Sequence, residues 1–170
     1  GENIVVKNCQ LGAQPTGITC KVQEVNKLSF INNQVYPDGR ENLVLDACNN
    51  CVIEGNNFKS YYNGILVLNG NDNTVNKNIF WLTGAVQNQL LDHGDDFGII
   101  NVKGNNNMVA SNSLSCEWAY AGAVTVNAVQ GTGNVFKNCF VDNLESYRVF
   151  LVNAQTEVSN CVSSEIGRAH

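Results

Sequence analysis

The feature that most constrains this chain is a repeated motif: an apolar residue, Asn three positions later, and a second apolar residue two positions after that. Val75, Asn78 and Phe80 are a clear copy. The motif Asn recurs at Asn8, Asn33, Asn56, Asn78, Asn112, Asn138 and Asn160, at intervals of 25, 23, 22, 34, 26 and 22 residues. Repeats of this length, built from strand-length apolar runs and Asn-Gly turns, are typical of a parallel β-helix. Equivalent residues of neighbouring windings then lie about 4.8 Å apart. The motif therefore predicts an asparagine ladder, one column of seven side chains hydrogen-bonded from winding to winding.

The flanking positions of the motif define where the regular repeat ends. Both are apolar in the five middle copies, whereas Gln10 in the first copy and Glu157 in the last are polar, as expected of terminal repeats. A leucine-rich repeat would need a dense Leu lattice and a helical half-repeat, and the chain has neither. We therefore predict an all-β protein, a parallel β-helix of about seven coils over residues 1–162, with a tail over residues 163–170. Because residues 2–9 begin in mid-coil, we expect a fragment of a longer β-helix.

Composition excludes several classes of partner. The 170 residues carry a net charge of −5, and the ten Lys and Arg form no cluster, so we expect no nucleic-acid partner and no anionic membrane. No apolar run is long enough to cross a bilayer.

The cysteines indicate packing more than metal binding. Seven is an odd number, so at least one thiol stays unpaired within the chain. Cys9, Cys139 and Cys161 each follow a motif Asn, which places them in one column, with the last two in neighbouring windings, close enough to stack or to bridge. Cys48 and Cys51 have zinc-knuckle spacing, but no second pair of ligands accompanies them. We predict that most of these cysteines pack in the core and that they bind no metal; the redox compartment stays open.

Aromatic residues follow the motif Asn at short distances and suggest a binding face. They are Tyr36, Tyr61, Tyr62, Trp81, Trp118 and Tyr120. The 34-residue interval adds a long loop at the same corner, with Asp92, His93, Asp95 and Asp96, and Arg40 lies two windings away. Aromatic rings beside carboxylates and an Arg suit a neutral oligo- or polysaccharide, because rings cover the apolar face of a sugar and polar groups hold its hydroxyls.

Other interpretations of these residues stay open. The aromatic residues also suit small clusters packed under loops. Asp95 and Asp96 suit an acid–base pair, since neighbouring carboxylates push their pKa values apart. They equally suit a turn, because adjacent strand positions point to opposite faces. His93 suits a solvated loop residue as well as a base, and Arg40 suits a turn cap.

Several short motifs resemble a known family. They are Pro37-Asp-Gly-Arg40, Cys48-Asn-Asn-Cys51, Tyr61-Tyr-Asn-Gly64-Ile-Leu66 and Leu68-Asn-Gly70. Their order and spacing resemble the later coils of bacterial inulin fructotransferases, over most of this chain and about the C-terminal half of a family member. The resemblance implies a right-handed β-helix that forms a homotrimer with active sites between subunits. It also implies release of a difructose dianhydride from a fructan by intramolecular fructosyl transfer, with carboxylates as acid and base and no cofactor. We expect an extracellular location.

The chain departs from that family at the two catalytic carboxylates. Thr16 occupies the position of the family's Asp, and the Glu position falls near Asn26. Neither side chain moves a proton as a carboxylate does. One hypothesis is therefore an enzyme in which Asp95 or Asp96 replaces the lost pair, with Arg40, Tyr61, Tyr62, Trp81 and Trp118 binding substrate. The alternative is a non-catalytic trimeric β-helix, a structural spike or glycan-binding module. A lyase or hydrolase for acidic glycans would need a basic groove or clustered acids for Ca²⁺, which the sequence lacks.

Overall fold

A computed structural model shows that this protein consists of three parallel β-sheets. The structure describes residues 1–12, 17–36, 41–61, 64–82, 98–116, 124–143 and 148–164. The first sheet consists of β1 (Glu2–Lys7), β4 (Asn26–Ile31), β7 (Val52–Glu54), β10 (Thr74–Asn76), β13 (Met108–Ala110), β16 (Val135–Lys137) and β19 (Glu157–Ser159). The second consists of β2 (Gln10–Leu11), β5 (Gln34–Val35), β8 (Asn57–Ser60), β11 (Ile79–Leu82), β14 (Ser113–Cys116), β17 (Phe140–Asn143) and β20 (Val162–Ser164). The third consists of β3 (Cys20–Gln23), β6 (Leu43–Asp46), β9 (Leu66–Asn69), β12 (Ile100–Val102), β15 (Val124–Ala128) and β18 (Arg148–Val152).

The chain winds through the three sheets in a fixed order. Each complete winding takes one strand from the third sheet, one from the first and one from the second, and every pairing is parallel. The predicted parallel β-helix is thus confirmed, but the count of seven coils is not. The third sheet has six described strands, so six complete windings follow an incomplete first one. The last strand ends at Ser164, two residues inside the predicted tail, and the rest of the tail lies outside the described residues.

The core fills the space between the sheets. Inward positions alternate with outward ones, as in the exposed–buried–intermediate–buried pattern of Ile79–Leu82. Phe30, Phe58 and Phe80 stack along the axis, with ring centroids 6.2 and 4.9 Å apart and interplanar angles of 12° and 2°. Leu residues of the third sheet face them from neighbouring windings, and all of these side chains are fully buried.

A two-residue corner joins the first sheet to the second. The first residue of each corner has a positive φ, between 51° and 67°: Asn8, Asn32, Gly55, Lys77, Ser111, Asn138 and Asn160. A left-handed residue reverses the chain within so short a connection, and Asn and Gly adopt this conformation most readily. This requirement explains why Asn is frequent at these corners.

The second residue of the same corner carries the predicted hydrogen-bonded column. Asn33, Asn56, Asn78 and Asn112 are buried, and each Oδ1 after the first accepts the backbone N–H and the side-chain N–H of the preceding Asn at 2.8–3.0 Å. Each Nδ2 also donates to a strand carbonyl of the preceding winding, such as Asn78 to Ile53 at 2.9 Å. Every polar atom of these buried amides is therefore paired, as burial demands.

Three of the seven predicted members are not in this column. Gln10 pairs with Gln34, and both Ser113 and Val162 pair with Phe140. The residues level with the buried asparagines are therefore Cys9, Cys139 and Cys161, whereas Asn8, Asn138 and Asn160 are the left-handed residues one position earlier. The prediction was wrong at these three because it shifted the register by one residue, which turns the flanking side chains to the other face. Phe140 and Val162, taken as core, are 45% and 60% exposed.

A second buried column, which the sequence analysis missed, lies at the corner between the third and first sheets. Asn73, Asn107 and Asn134 are buried, and the Oδ1 atom of each accepts a backbone N–H from the preceding winding at 2.9–3.0 Å, starting with that of Cys51. The signal was present, since each of these asparagines precedes an inward apolar residue by two positions, as in Asn73 and Val75. Two corners of every central winding are therefore fixed by amide side chains.

We expect the same substitution to destabilise the protein at one class of corner Asn and to have little effect at the other. Asn78→Gly removes the Oδ1 atom that accepts two hydrogen bonds from Asn56 and the Nδ2 group that donates to the carbonyl of Ile53. It should lower the free energy of unfolding by about 2–4 kcal/mol. Asn138→Gly, at an exposed residue with φ 54°, should change it by less than about 0.5 kcal/mol. Chemical denaturation of both variants measures the difference; equal losses would contradict the register described here.

Candidate functional site

The third corner, between the second and third sheets, is where the windings differ most in length. Its connections run over residues 12–19, 36–42, 61–65, 83–99, 117–123 and 144–147, whereas the first corner always takes two residues and the corner between the third and first sheets takes two to six. A solenoid accommodates insertions at a corner whose length the stacking does not fix. All the residues predicted to bind or transform substrate lie in these connections or on the strand that leads into them.

The structure describes two of the predicted site residues. Tyr61 directly follows β8 and is 42% exposed. Trp81 is the third residue of β11 and points outward, because its neighbours Phe80 and Leu82 are buried. The other five predicted residues, and Thr16 with them, lie outside the described residues; they are Arg40, Tyr62, Asp95, Asp96 and Trp118.

Trp81 has a neighbour that the sequence analysis missed. The ammonium of Lys59 lies over the indole ring, with Nζ 4.2 Å from the ring centroid. Lys59 and Trp81 are register partners on neighbouring strands, so the cation approaches from the preceding winding. A cation over an indole face is attracted by the negative potential of the ring. Lys59 could have been found from the sequence, because it precedes Trp81 by the same 22 residues that separate Asn56 from Asn78.

These two side chains belong to an outward-facing row on the second sheet. Ser115 pairs with Trp81, and Asp142 pairs with Ser115. Tyr36 follows Val35, the partner of Phe58, and therefore stands level with Lys59 at the other end of the row; it is 44% exposed. We call Tyr36, Lys59, Trp81, Ser115 and Asp142 the aromatic row. A parallel row on the same face contains Ile79, Ser113, Phe140 and Val162.

A buried amide fixes the backbone beneath the aromatic row. Asn42, which is fully buried, donates from Nδ2 to the carbonyl of Lys59 at 2.9 Å. Its Oδ1 and the hydroxyl of Thr19, one winding earlier, are buried without a hydrogen-bond partner in the structure. The hydrogen bond from Asn42 to Lys59 links the end of β8 to the residue before β6 across the third corner. The backbone of Lys59 is therefore held by this bond as well as by the strand pairing of its own sheet.

Asn26 does not lie at this corner. It is the first residue of β4 on the first sheet, and its Oδ1 accepts the side-chain N–H of Asn50 at 2.8 Å. The side chain that stands near the Glu position of the resembling family is therefore engaged in a contact between windings. Nothing in that arrangement can donate or accept a catalytic proton.

Among the acids that the structure describes, Asp46 has the surroundings that most clearly stabilise its charge, and it faces outward on the third sheet. The side-chain amide of Gln23 donates to it at 3.0 Å and that of Asn69 at 2.9 Å. These bonds, the one from Gln23 first, and the nearby charge of Lys21 lower the pKa of Asp46 despite some desolvation. A carboxylate held in its ionised form by neighbouring windings serves the scaffold and is a poor general acid.

The cysteines do not form a metal site in the part of the chain that the structure describes. Six are described as free thiols, and no group of three or more His, Cys, Asp or Glu side chains converges there. The thiols of Cys48 and Cys51 are buried and directed at backbone carbonyls, 3.4 and 3.3 Å away. Burial raises the pKa of Cys51, which disfavours the thiolate that zinc requires. Cys139 and Cys161 do stand level in neighbouring windings.

A shallow groove on the first sheet is a poorer candidate for chemistry. It lies on the opposite side of the first corner from the aromatic row and contains no carboxylate. Its lining residues are Asn3, Ile4, Val5, Lys27, Leu28, Ser29, Asn50 and Val52. Among the described residues there is also no helix long and apolar enough to cross a membrane.

Comparison with known families defines the class of protein. The fold is that of a parallel β-helix, and the family model "Right handed beta helix region" matches residues 16–169. The chain belongs to the right-handed β-helix family. No curated protein matches it in sequence.

Several solved structures share the fold, and they are of the inulin fructotransferase type that the sequence resembles. DFA-IIIase from Arthrobacter chlorophenolicus A6 in complex with GF2 has a TM-score of 0.78 and 20% identity, over 95% of this chain and 43% of that chain. The same enzyme without its lid has a TM-score of 0.81 and 20% identity, over 96% and 47%. Its complex with DFA-III has a TM-score of 0.69 and 23% identity, over 92% and 37%. The chain thus spans less than half the length of each of these three chains, and the likeness is one of fold.

We expect native-state thiol labelling to separate the cysteines by burial. Burial raises the pKa of Cys51 and of Cys139, so both should react with a soluble disulfide reagent at pH 8 only when the solenoid opens. Cys9, which is partly exposed, should react first. Peptide mass spectrometry after timed labelling measures the order. Labelling of Cys51 as fast as Cys9, or protection of Cys51 by added Zn²⁺, would contradict the packing role.

Proposed function

We propose that this chain is a carbohydrate-active β-helix protein that acts on a neutral fructan, releasing a difructose dianhydride by intramolecular fructosyl transfer. The observation that carries the proposal is the likeness of fold to DFA-IIIase, whose structures hold GF2 and DFA-III, over nearly the whole of this chain. Fold alone does not determine activity, so the proposal also depends on the residues at the third corner.

The aromatic row supports a sugar as the ligand. Trp81 and the exposed rings of Tyr36 and Tyr61 lie along the exit of the second sheet, where long connections leave the solenoid. Flat apolar rings with a carboxylate in the same row suit a ligand with apolar faces and a rim of hydroxyls. The absence of a basic cluster from the sequence favours a neutral sugar over an acidic one.

We assign the chemistry to Asp95 and Asp96, and further substrate contacts to Arg40, Tyr62 and Trp118. All five belong to connections of the third corner in the sequence. In the proposed reaction one carboxylate accepts the proton of a fructosyl hydroxyl, whose oxygen attacks the anomeric carbon of the neighbouring fructosyl unit. The other carboxyl group is protonated and donates its proton to the glycosidic oxygen that leaves this carbon. The ring of the difructose dianhydride closes as it is released from the fructan, without water, metal or cofactor.

A second candidate function is favoured by one observation. Thr16 stands where the resembling family has an Asp, the family's Glu position falls near Asn26, and the side chain of Asn26 is engaged with Asn50. A non-catalytic β-helix, a structural spike or glycan-binding module, would keep the aromatic row and lose turnover. It predicts saturable sugar binding, or self-association alone, with no product.

We also propose that the protein is a homotrimer and works outside the cell. Exposed apolar side chains on the second sheet, Ile79, Phe140 and Val162, give copies of the chain a surface on which to associate. A polymeric fructan is too large to enter a cell, which supports the location. A monomeric mass by light scattering, or retention of the native protein in the cytoplasm, would contradict these assignments.

Product analysis tests the enzymatic proposal. The protein is incubated with inulin and with levan beside a control without protein, and small products are resolved by mass. We expect the mass of a difructose dianhydride from at least one fructan. The variant carrying Asp95→Asn and Asp96→Asn should lose a factor of about 10² to 10⁴ in rate, as expected when acid–base groups are removed.

Asp72→Asn is the matched control. Asp72 is an exposed residue with φ 58° at the corner between the third and first sheets, where Asn50 and Asn106 occupy the same conformation. It should keep full activity. Full activity in the double variant would contradict the assignment of the chemistry to Asp95 and Asp96. Sugar binding without any product from the unaltered protein would establish the second candidate function.

A further inference from the structure

One face of the Trp81 indole is already occupied within the protein. The ammonium of Lys59 lies over it at 4.2 Å from the ring centroid, and Lys59 belongs to the preceding winding. A sugar ring that stacks on Trp81 must therefore use the face turned away from that ammonium. The side chain that follows Trp81 in the row decides whether such a ring has room.

The next residue in the row is small. Ser115 is the register partner of Trp81, and Asp142 is the partner of Ser115. Trp81 and Asp142 are two windings apart, which is about 9.6 Å at the spacing of paired strands. A flat ring in van der Waals contact with a wall on each side needs about 3.5–4 Å to each. The two walls therefore stand at the separation that one sugar ring requires, with Ser115 beneath it.

The walls of this slot are held rigidly. β8, β11, β14 and β17 are paired continuously, and Asn42 fixes the carbonyl of Lys59 from inside the solenoid. Preorganised walls reduce the entropy lost on binding. Asp142 already takes part in an interaction within the chain, and a carboxylate has lone pairs to spare for a sugar hydroxyl.

We propose that Trp81, Ser115 and Asp142 form a subsite for one neutral furanose or pyranose ring on the outer face of the second sheet. The ring stacks on the Trp81 face away from Lys59, lies over Ser115, and donates a hydroxyl hydrogen bond to Asp142. Lys59 covers the other face of the indole and does not touch the sugar. The subsite rests on the proposed function, because it presumes a fructan-type ligand, and it adds Ser115, Asp142 and a stacking face of Trp81 to it.

The neighbouring row provides an internal comparison. Ser113 lies two positions before Ser115 on the same strand and face, and both side chains are partly exposed. Its partners are Ile79 and Phe140, so it has apolar walls on both sides, with neither an indole nor a carboxylate. Ser113→Leu and Ser115→Leu therefore make the same change of volume in two slots, of which only one is assigned to sugar.

Calorimetric titration of the full chain with GF2 tests the subsite. Ser115→Leu fills the slot and should raise the Kd at least about tenfold, while Ser113→Leu should leave it within about twofold. Lys59→Met keeps the aliphatic stem and removes the charge, and it should also stay within about twofold. Circular dichroism melting of each variant separates lost binding from lost folding.

A second measurement needs no change at Ser115. The indole N–H signal of Trp81 in a two-dimensional NMR spectrum, assigned with Trp81→Phe, should move on addition of GF2. Equal effects of the two Leu variants, loss of binding in Lys59→Met, or an unmoved Trp81 signal with binding intact would each overturn the subsite and leave the proposed function standing. If the unaltered protein binds neither GF2 nor longer fructans, the proposed function falls and the subsite with it.

Discussion

The structure depends on a buried amide that can be satisfied only by the next winding. At the first corner the Oδ1 atom of Asn78 accepts two N–H groups from Asn56, and its own N–H groups pass to Asn112 and to a strand carbonyl. An amide with no partner in this interior would cost about 1–3 kcal/mol for each lost bond. Each winding therefore fixes the height and rotation of its neighbour. The column at Asn73, Asn107 and Asn134 does the same at a second corner.

Amide columns hold two of the three corners of each central winding, and the candidate site lies at the third corner. Corner residues in the columns are Asn or a small substitute, and the first corner keeps a length of two residues in every winding. Among the described residues the third corner has no such column, and its connections vary from residues 144–147 to residues 83–99. Variable connections over a rigid scaffold are where binding and catalysis commonly reside. The aromatic row lies on the strands that lead directly into that corner, which gives its side chains fixed positions beside loops that can differ.

The fold could be predicted because stacking imposes a period on the sequence. At Asn33, Asn56, Asn78 and Asn112 the sequence motif, the burial of the side chain and the strand register agree. The register failed at Asn8, Asn138 and Asn160 because the corner uses Asn for two unrelated reasons, a left-handed backbone and a buried amide. Where Cys takes the buried slot, as at Cys139, the only Asn left to align is the left-handed one. Counting the next apolar residue, Val141 instead of Phe140, would have restored the register.

The candidate site could be predicted only in part, for a physical reason. Tyr36 and Trp81 each follow a motif Asn by three residues, so periodicity places both on the outer face of the second sheet, and Tyr61 lies just beyond the end of β8. The contact between Lys59 and Trp81 depends on the conformation of two long side chains, which a repeat period does not specify. Asp95 and Asp96 belong to a connection whose length no column fixes, so sequence spacing could not determine what they face.

Hydrogen exchange at the corner amides tests the central claim most directly. The backbone N–H groups of Asn33, Asn56 and Asn78 lie outside the strands, yet each donates to a side-chain Oδ1 of the next winding at 2.8–2.9 Å. If these amides hold the windings together, they should exchange as slowly as the buried strand amides of Phe58 and Phe80, and only through global unfolding. Exchange at the rate of exposed turn amides would show that the windings stack without them and would contradict this account.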